Sequence, residues 1–101
     1  MPADSTGRDP GLLVLISLAG GPKHGHAIYL DIAAFSGDRL GPGTLYGALA
    51  RLEETGLIEP MAADGRRRPY RLTDGGSAAL RSRLDGFGAA IQIGQDRLAS
   101  A

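Results

Sequence analysis

Residues 41–59, Gly-Pro-Gly-Thr-Leu-Tyr-Gly-Ala-Leu-Ala-Arg-Leu-Glu-Glu-Thr-Gly-Leu-Ile-Glu, read as a short helix that stops at a glycine and runs straight into a strand. Pro42 suits the first helical position, where its missing N–H would have had no partner in any case. Leu45, Leu49 and Leu52 follow at i, i+4 and i+7 and line one face. Gly56 can take the left-handed conformation that ends a helix. With Leu45 placed inward, at about 100° per residue, Ala48, Leu49 and Leu52 also fall inward. Gly43, Gly47, Ala50 and Glu54 then point outward, and Thr44, Tyr46 and Arg51 lie on the flanks.

Downstream, two short strands are expected near 57–61 and 69–73. Tyr70 and Leu72 alternate with Arg71 and Thr73, so one strand face is buried and the other is wet. Ala63-Asp64-Gly65-Arg66-Arg67 between them is a hairpin tip with an Asp-Gly turn. Pro60 must sit at an edge or near the end of its strand, because it cannot donate to a ladder. Upstream, Asp9-Pro10 starts a first helix with Asp as N-cap, and Gly20-Gly21-Pro22 breaks it. A second helix covers about 24–36, with Ile28, Ile32 and Phe35 as its inward stripe and Ser36-Gly37-Asp38 as its end. Residues 1–8 are expected to be a disordered lead.

The last segment, about 75–99, carries a second pattern. Leu80, Leu84, Phe87, Ile91, Gly94 and Leu98 are spaced alternately by four and three, the seam of a helix that packs lengthwise on another helix. Thr73 or Asp74 can cap it. Leu80 is expected to pack on its own domain. For Leu84, Phe87, Ile91 and Leu98 a chain of 101 residues has little core left, which favours a partner chain.

Composition excludes several functions. There are no cysteines, so neither a disulfide framework nor a cysteine metal site exists. No apolar run approaches the roughly 20 residues of a membrane span. The polar, acidic start lacks the pattern of a signal peptide, which points to the cytoplasm. His24-x-His26 is the only histidine pair, and residues two apart on a helix do not share a face, so no metal is expected. Gly41-x-Gly43-x-x-x-Gly47 has the wrong spacing for a dinucleotide fingerprint. No serine has the setting of a nucleophile and no carboxylate pair stands out, so neither an enzyme nor a cofactor is expected.

Eleven basic and eleven acidic residues leave a net charge of zero. The distribution is uneven. Arg66, Arg67, Arg68, Arg71, Arg81 and Arg83 fall in one stretch whose only acid is Asp74. Such a basic patch suits release of counterions from phosphates. On charge alone, a solvated arginine-rich loop fits equally well.

A short helix with a small outer face, followed by a basic hairpin, is what a winged helix presents to DNA. The motif set sharpens this. Gly43-Thr44-Leu45-Tyr46, Leu49, Arg51-Leu52-Glu53, Gly56-Leu57-Ile58, Arg68-Pro69-Tyr70-Arg71-Leu72-Thr73 and Gly76 resemble the PadR family of bacterial transcriptional regulators, as do His24-Gly25 and Ala27-Ile28. The resemblance runs from near Gly11 to at least Leu84. It implies that residues 43–46 start a recognition helix and that 61–69 form a wing along the phosphate backbone. It implies DNA contacts from Gly43, Thr44 and Tyr46 on the helix and from Arg66, Arg67 and Arg68 on the wing, to which the helix's own face pattern adds Gly47 and Arg51. Two departures stand out: Gly41 replaces a serine-like cap, and Gly47 replaces a residue that is often larger or basic. Both shift the weight of binding from base readout toward the wing and dimer symmetry.

The expectation is therefore an α+β, mostly α, winged helix-turn-helix with a C-terminal dimerisation helix. Residues 9–74 would form the DNA-binding domain and 75–101 the dimerisation helix, with Leu84, Phe87, Ile91 and Leu98 at the interface. The partners would be double-stranded DNA, a second copy of the chain and a small-molecule inducer, with no membrane. The resemblance implies a ligand-responsive repressor; the expected target is an inverted-repeat operator, and the expected pocket lies between the dimer helices near Phe87 and Ile91, with Phe35 as a further candidate. For Tyr46 the competing role is packing against the second helix, and for Arg51 a surface ion pair with Glu53 or Glu54. The alternative function is a winged helix used for protein–protein contact, which the zero net charge and Glu54 favour and the triple arginine disfavours.

Overall fold

The computed structural model describes residues 9–101, so the expected disordered lead at 1–8 lies outside the described residues. The order is α1 (Pro10–Ala19), β1 (Lys23–His24), α2 (Gly25–Ser36), α3 (Pro42–Glu54), β2 (Ile58–Pro60), β3 (Pro69–Leu72) and α4 (Asp74–Ala99). This is a winged helix, mostly helical, with a long C-terminal helix. Among the described residues no helix is long and apolar enough to cross a membrane.

Local chemistry explains each helix end. Asp9 caps α1, its Oδ1 accepting the Leu12 N–H at 3.1 Å, and Pro10 opens the first turn. Gly37 ends α2 with φ of 79°. Helix α3 closes in a Schellman motif around Gly56, also at φ 79°. There the Leu57 N–H donates to the Leu52 carbonyl at 2.9 Å and the Gly56 N–H to that of Glu53 at 3.1 Å. Thr73, not Asp74, caps α4, accepting the Gly76 N–H at 3.0 Å.

The core fills the space between α1, α2, α3 and the first turns of α4. Leu12, Val14, Leu15, Ile28, Ile32, Leu45, Leu49, Ile58 and Leu80 are all buried. Helix α1 is buried on most sides, and Leu45, Ala48, Leu49 and Leu52 of α3 all face inward, as their spacing requires. Phe35 does not join them. It is 46% exposed, so the inward stripe of α2 ends at Ile32. The last turn of α2 runs past its supports, leaving Ala34, Phe35 and Ser36 all exposed.

The sheet has three strands rather than the two expected. Its order is β1-β3-β2, all antiparallel. Lys23 pairs with Tyr70 and His24 with Pro69, while Ile58, Glu59 and Pro60 pair with Leu72, Arg71 and Tyr70. Two residues carry no alternation to read, so β1 left no trace in the pattern. Pro60 ends β2, an edge strand, where no inter-strand N–H is missed.

The head and α4 are joined by more than the core. Arg83 Nη2 donates to Asp9 Oδ2 at 2.6 Å, tying α4 to the cap of α1. Burial, the largest single influence, pushes the Asp9 carboxyl up. The hydrogen bonds from Arg83, Leu12 and Gly11, together with the Arg83 charge, outweigh it and hold the group below its ordinary value. A depressed carboxylate adds stability above its ordinary titration range and loses it as pH falls through the lowered value. Asp9→Asn keeps a good cap but removes the charge. Thermal unfolding should therefore show wild type ahead of Asp9→Asn by up to about 1 kcal/mol at pH 7, with the gap closing below about pH 4.

Candidate nucleic-acid interface

Helix α3 stands on its apolar face and turns its first residues to solvent. Gly43, Thr44 and Tyr46 are exposed, and Gly47 is half-buried. The cap position, Gly41, offers no side-chain acceptor, so the free N–H groups of the first turn stay open. Nothing lies within 4 Å of where a Cβ on Gly41 or Gly43 would stand, so a flat surface could approach the backbone there. Arg51 reaches back along the helix to Gly47, with Nη1 3.6 Å from the position of an added Cβ.

Tyr46 takes up the competing role without losing its exposure. Its ring lies over Gly25 at the start of α2, where an added Cβ would stand 2.6 Å from the hydroxyl. Tyr46 as a whole is nevertheless 54% exposed. Gly25 is thus small because an aromatic side chain from the next helix crosses its Cα.

The wing tip is a two-residue turn. Asp64 and Arg67 exchange backbone hydrogen bonds of 2.7 and 3.1 Å across Gly65 and Arg66. Gly65 has φ of 65° while Arg66 is not left-handed, the pattern of a type II′ turn. Glycine is needed at the first central position, and Arg66 sits at the second. Arg66, Arg67 and Arg68 are all exposed.

The wider basic patch divides on folding. Arg71 Nε bonds Glu59 Oε2 at 2.5 Å across the β2–β3 pair, and Arg83 is held by Asp9. Two of the six arginines are therefore compensated within the chain, and three of the remaining four stand together at the wing.

Helix and wing face one another across a concave groove of about 290 Å³. Tyr46 walls it on one side, Arg66, Arg67 and Arg68 on the other, and His24, Gly25, His26 and Tyr70 complete it. The fold thus brings Tyr46 together with the three wing arginines, while Gly43, Thr44 and Arg51 lie elsewhere on α3. The histidines and Tyr70 had no assigned role in the sequence. The signal for His24 was its place just before α2: its Nδ1 caps that helix, accepting the Ala27 N–H at 3.4 Å. His26 stacks on Tyr29, with ring centroids 6.1 Å apart.

On α4 the seam is open. Leu84, Phe87, Ile91 and Leu98 are 45, 45, 59 and 80% exposed, and only Leu80 of that stripe is buried. Ile93, half exposed, lies off the seam. A groove of about 550 Å³ runs between the end of α1, β3 and the first half of α4, and includes Leu18, Leu72, Leu80 and Leu84. Phe35, Phe87 and Ile91 do not line it.

Comparison with known proteins agrees with this architecture. Residues 12–82 match the model of the transcriptional regulator PadR-like family. A 37.1 kDa protein in transposon TN4556 of Streptomyces fradiae is 54% identical over 72 residues, covering 71% of this chain and 21% of that protein. Transcriptional regulator Rv3488 of Mycobacterium tuberculosis is 55% identical over 47 residues, covering 44% of each. The chain thus spans less than half the length of these curated relatives. The crystal structure of a PadR family transcription regulator from Clostridium difficile superposes with a TM-score of 0.79 at 23% identity, over 88% of this chain and 97% of that one, a likeness of fold. On the match across residues 12–82, this chain belongs to the PadR-like family of transcriptional regulators.

Proposed function

We propose that the protein is a DNA-binding transcriptional regulator that acts as a homodimer on an inverted-repeat operator. The observation that carries this reading is the groove between Tyr46 and the three exposed wing arginines. The start of α3 enters a major groove, where Thr44 and Tyr46 offer hydroxyls and Arg51 a guanidinium. Arg66, Arg67 and Arg68 lie along the phosphate backbone and supply affinity that weakens with salt. Residues 9–74 form the binding head and 75–101 the helix that pairs two heads. Two recognition helices then meet major grooves about one turn, roughly 34 Å, apart.

Dimerisation follows from the seam. An exposed row of Leu84, Phe87, Ile91 and Leu98 on one helix is better covered than wet. Replacing both Phe87 and Ile91 with aspartate should leave the head folded and convert the dimer to a monomer in sedimentation. The loss in duplex affinity should be tenfold or more, because the two heads no longer act together.

Within this reading the protein is a repressor released by a small molecule. The inducer sits near Phe87 and Ile91 between the paired helices, with Phe35 of the head close by, and changes the angle between heads. The work is done in the cytoplasm.

A gel shift on the DNA upstream of the protein's own coding sequence tests the proposal, run at low and moderate salt with scrambled competitor. A band that survives competitor and fades with salt is expected. No band at low salt would overturn the DNA-binding reading. It would favour a protein partner, a role for which the exposed Glu53 and Glu54 on α3 and the zero net charge give a basis.

A further inference from the structure

His24 belongs neither to the recognition helix nor to the wing, yet it touches the wing tip. Its backbone is fixed in β1 opposite Pro69, and its Nδ1 accepts the Ala27 N–H at 3.4 Å. A nitrogen that accepts carries no proton, so in the neutral ring the proton sits on Nε2. Nε2 faces Arg67 Nη1 at 3.4 Å. A guanidinium has only donors. Two N–H donors therefore stand side by side, and neither satisfies the other.

Both backbones are held in place, that of Arg67 by its exchange with Asp64 across the tip and that of His24 by the strand, and the cap fixes the His24 ring. The groove onto which they open is lined by Arg66 and Arg68 and by no carboxylate. An acceptor at an ordinary distance of about 2.8–2.9 Å reaches both nitrogens across their 3.4 Å gap. In such a setting that acceptor is an anionic oxygen supplied from outside.

We propose that His24 Nε2 and the Arg67 guanidinium form a two-donor clamp on one phosphate of the DNA backbone. The clamp rests on the DNA-binding reading above and adds a contact to it. The cap at Nδ1 fixes the tautomer, so the residue that starts α2 also presents a proton to the phosphate. His24 contributes a neutral donor and Arg67 the charge.

The test separates the cap from the clamp. His24→Asn keeps a cap acceptor but is too short to reach Arg67, and His24→Ser does the same with a different group. Binding is measured by fluorescence anisotropy to a mixed-sequence duplex about three helical turns long, across a salt series. His24→Asn should melt like wild type and bind about tenfold more weakly at every salt concentration. The slope of log affinity against log salt should not change, because a neutral donor releases no counterion. Arg67→Ala should flatten that slope by about 0.9 for each protomer that contacts the duplex. In an Arg67→Ala background, His24→Asn should cost less than twofold. Wild-type affinity in both His24 variants, or losses that multiply fully with that of Arg67→Ala, would overturn the clamp. Failure of the wild type to bind any duplex at low salt would instead remove the DNA-binding reading, and the clamp with it.

Discussion

Replacing Arg66, Arg67 and Arg68 together with alanine is expected to lower affinity for duplex DNA by about a hundredfold for each bound protomer near physiological salt. Each charge-assisted bond to a phosphate contributes on the order of 1 kcal/mol net, and tenfold in affinity is about 1.4 kcal/mol. Three such contacts give the stated loss. The salt dependence is the sharper readout. Each arginine at a phosphate adds about 0.9 to the slope of log affinity against log salt, so three should remove about 2.7 per protomer. Stability should hold within about 0.5 kcal/mol, because the tip is built from backbone bonds between Asp64 and Arg67 and from Gly65, not from the arginine side chains. A folded triple variant with unchanged binding and slope would move the function away from the wing. Neither Arg71 nor Arg83 should matter as much, since Glu59 and Asp9 already compensate them.

Gly76→Ala is expected to destabilise the protein by about 3 kcal/mol or more, a fall in Tm of roughly 12 °C or more for a domain of this size. A Cβ at Gly76 would stand 1.9 Å from the Leu57 carbonyl oxygen and 2.9 Å from its carbon. Those are backbone atoms, and they cannot swing aside. The same carbonyl accepts the Thr73 N–H at 3.2 Å, and Thr73 Oγ1 donates to the Gly56 carbonyl at 2.6 Å. The start of α4 is thus bonded to the turn after α3 from both sides of the clash. Relief would require lifting α4, which would draw Leu80 out of the core. Alanine's better helix propensity, about 1 kcal/mol, does not offset this. Gly86 is the control: nothing lies within 4 Å of an added Cβ there, so Gly86→Ala should raise Tm. A Gly76→Ala protein that melts with wild type would disprove the packing described for this crossing.

Much of the fold was legible because it rests on local chemistry. Asp9 before Pro10, Gly56 after the Leu45 to Leu52 stripe, and Asp64-Gly65 between two strands each specify a helix start, a helix end and a turn without help from distant residues. Leu80 was separable from the rest of its seam because the core runs out beyond it. Phe35 was misjudged because angular position on a helix says nothing about how far the supporting helices extend. The basic stretch looked broader than it is, because the pairing of Arg71 with Glu59 and of Arg83 with Asp9 spans 12 and 74 residues of sequence.

The sequence by itself determined the four helices, the β2–β3 hairpin, most of their ends and the family, since these depend on short spacings and on the conformational limits of glycine and proline. Only the tertiary structure decided which charges remain open, that Gly25 and Gly76 are small to admit Tyr46 and the Leu57 carbonyl, and that His24 meets Arg67. Those facts arise where segments far apart in the chain are brought within a few ångströms, and no periodicity along the chain encodes that distance.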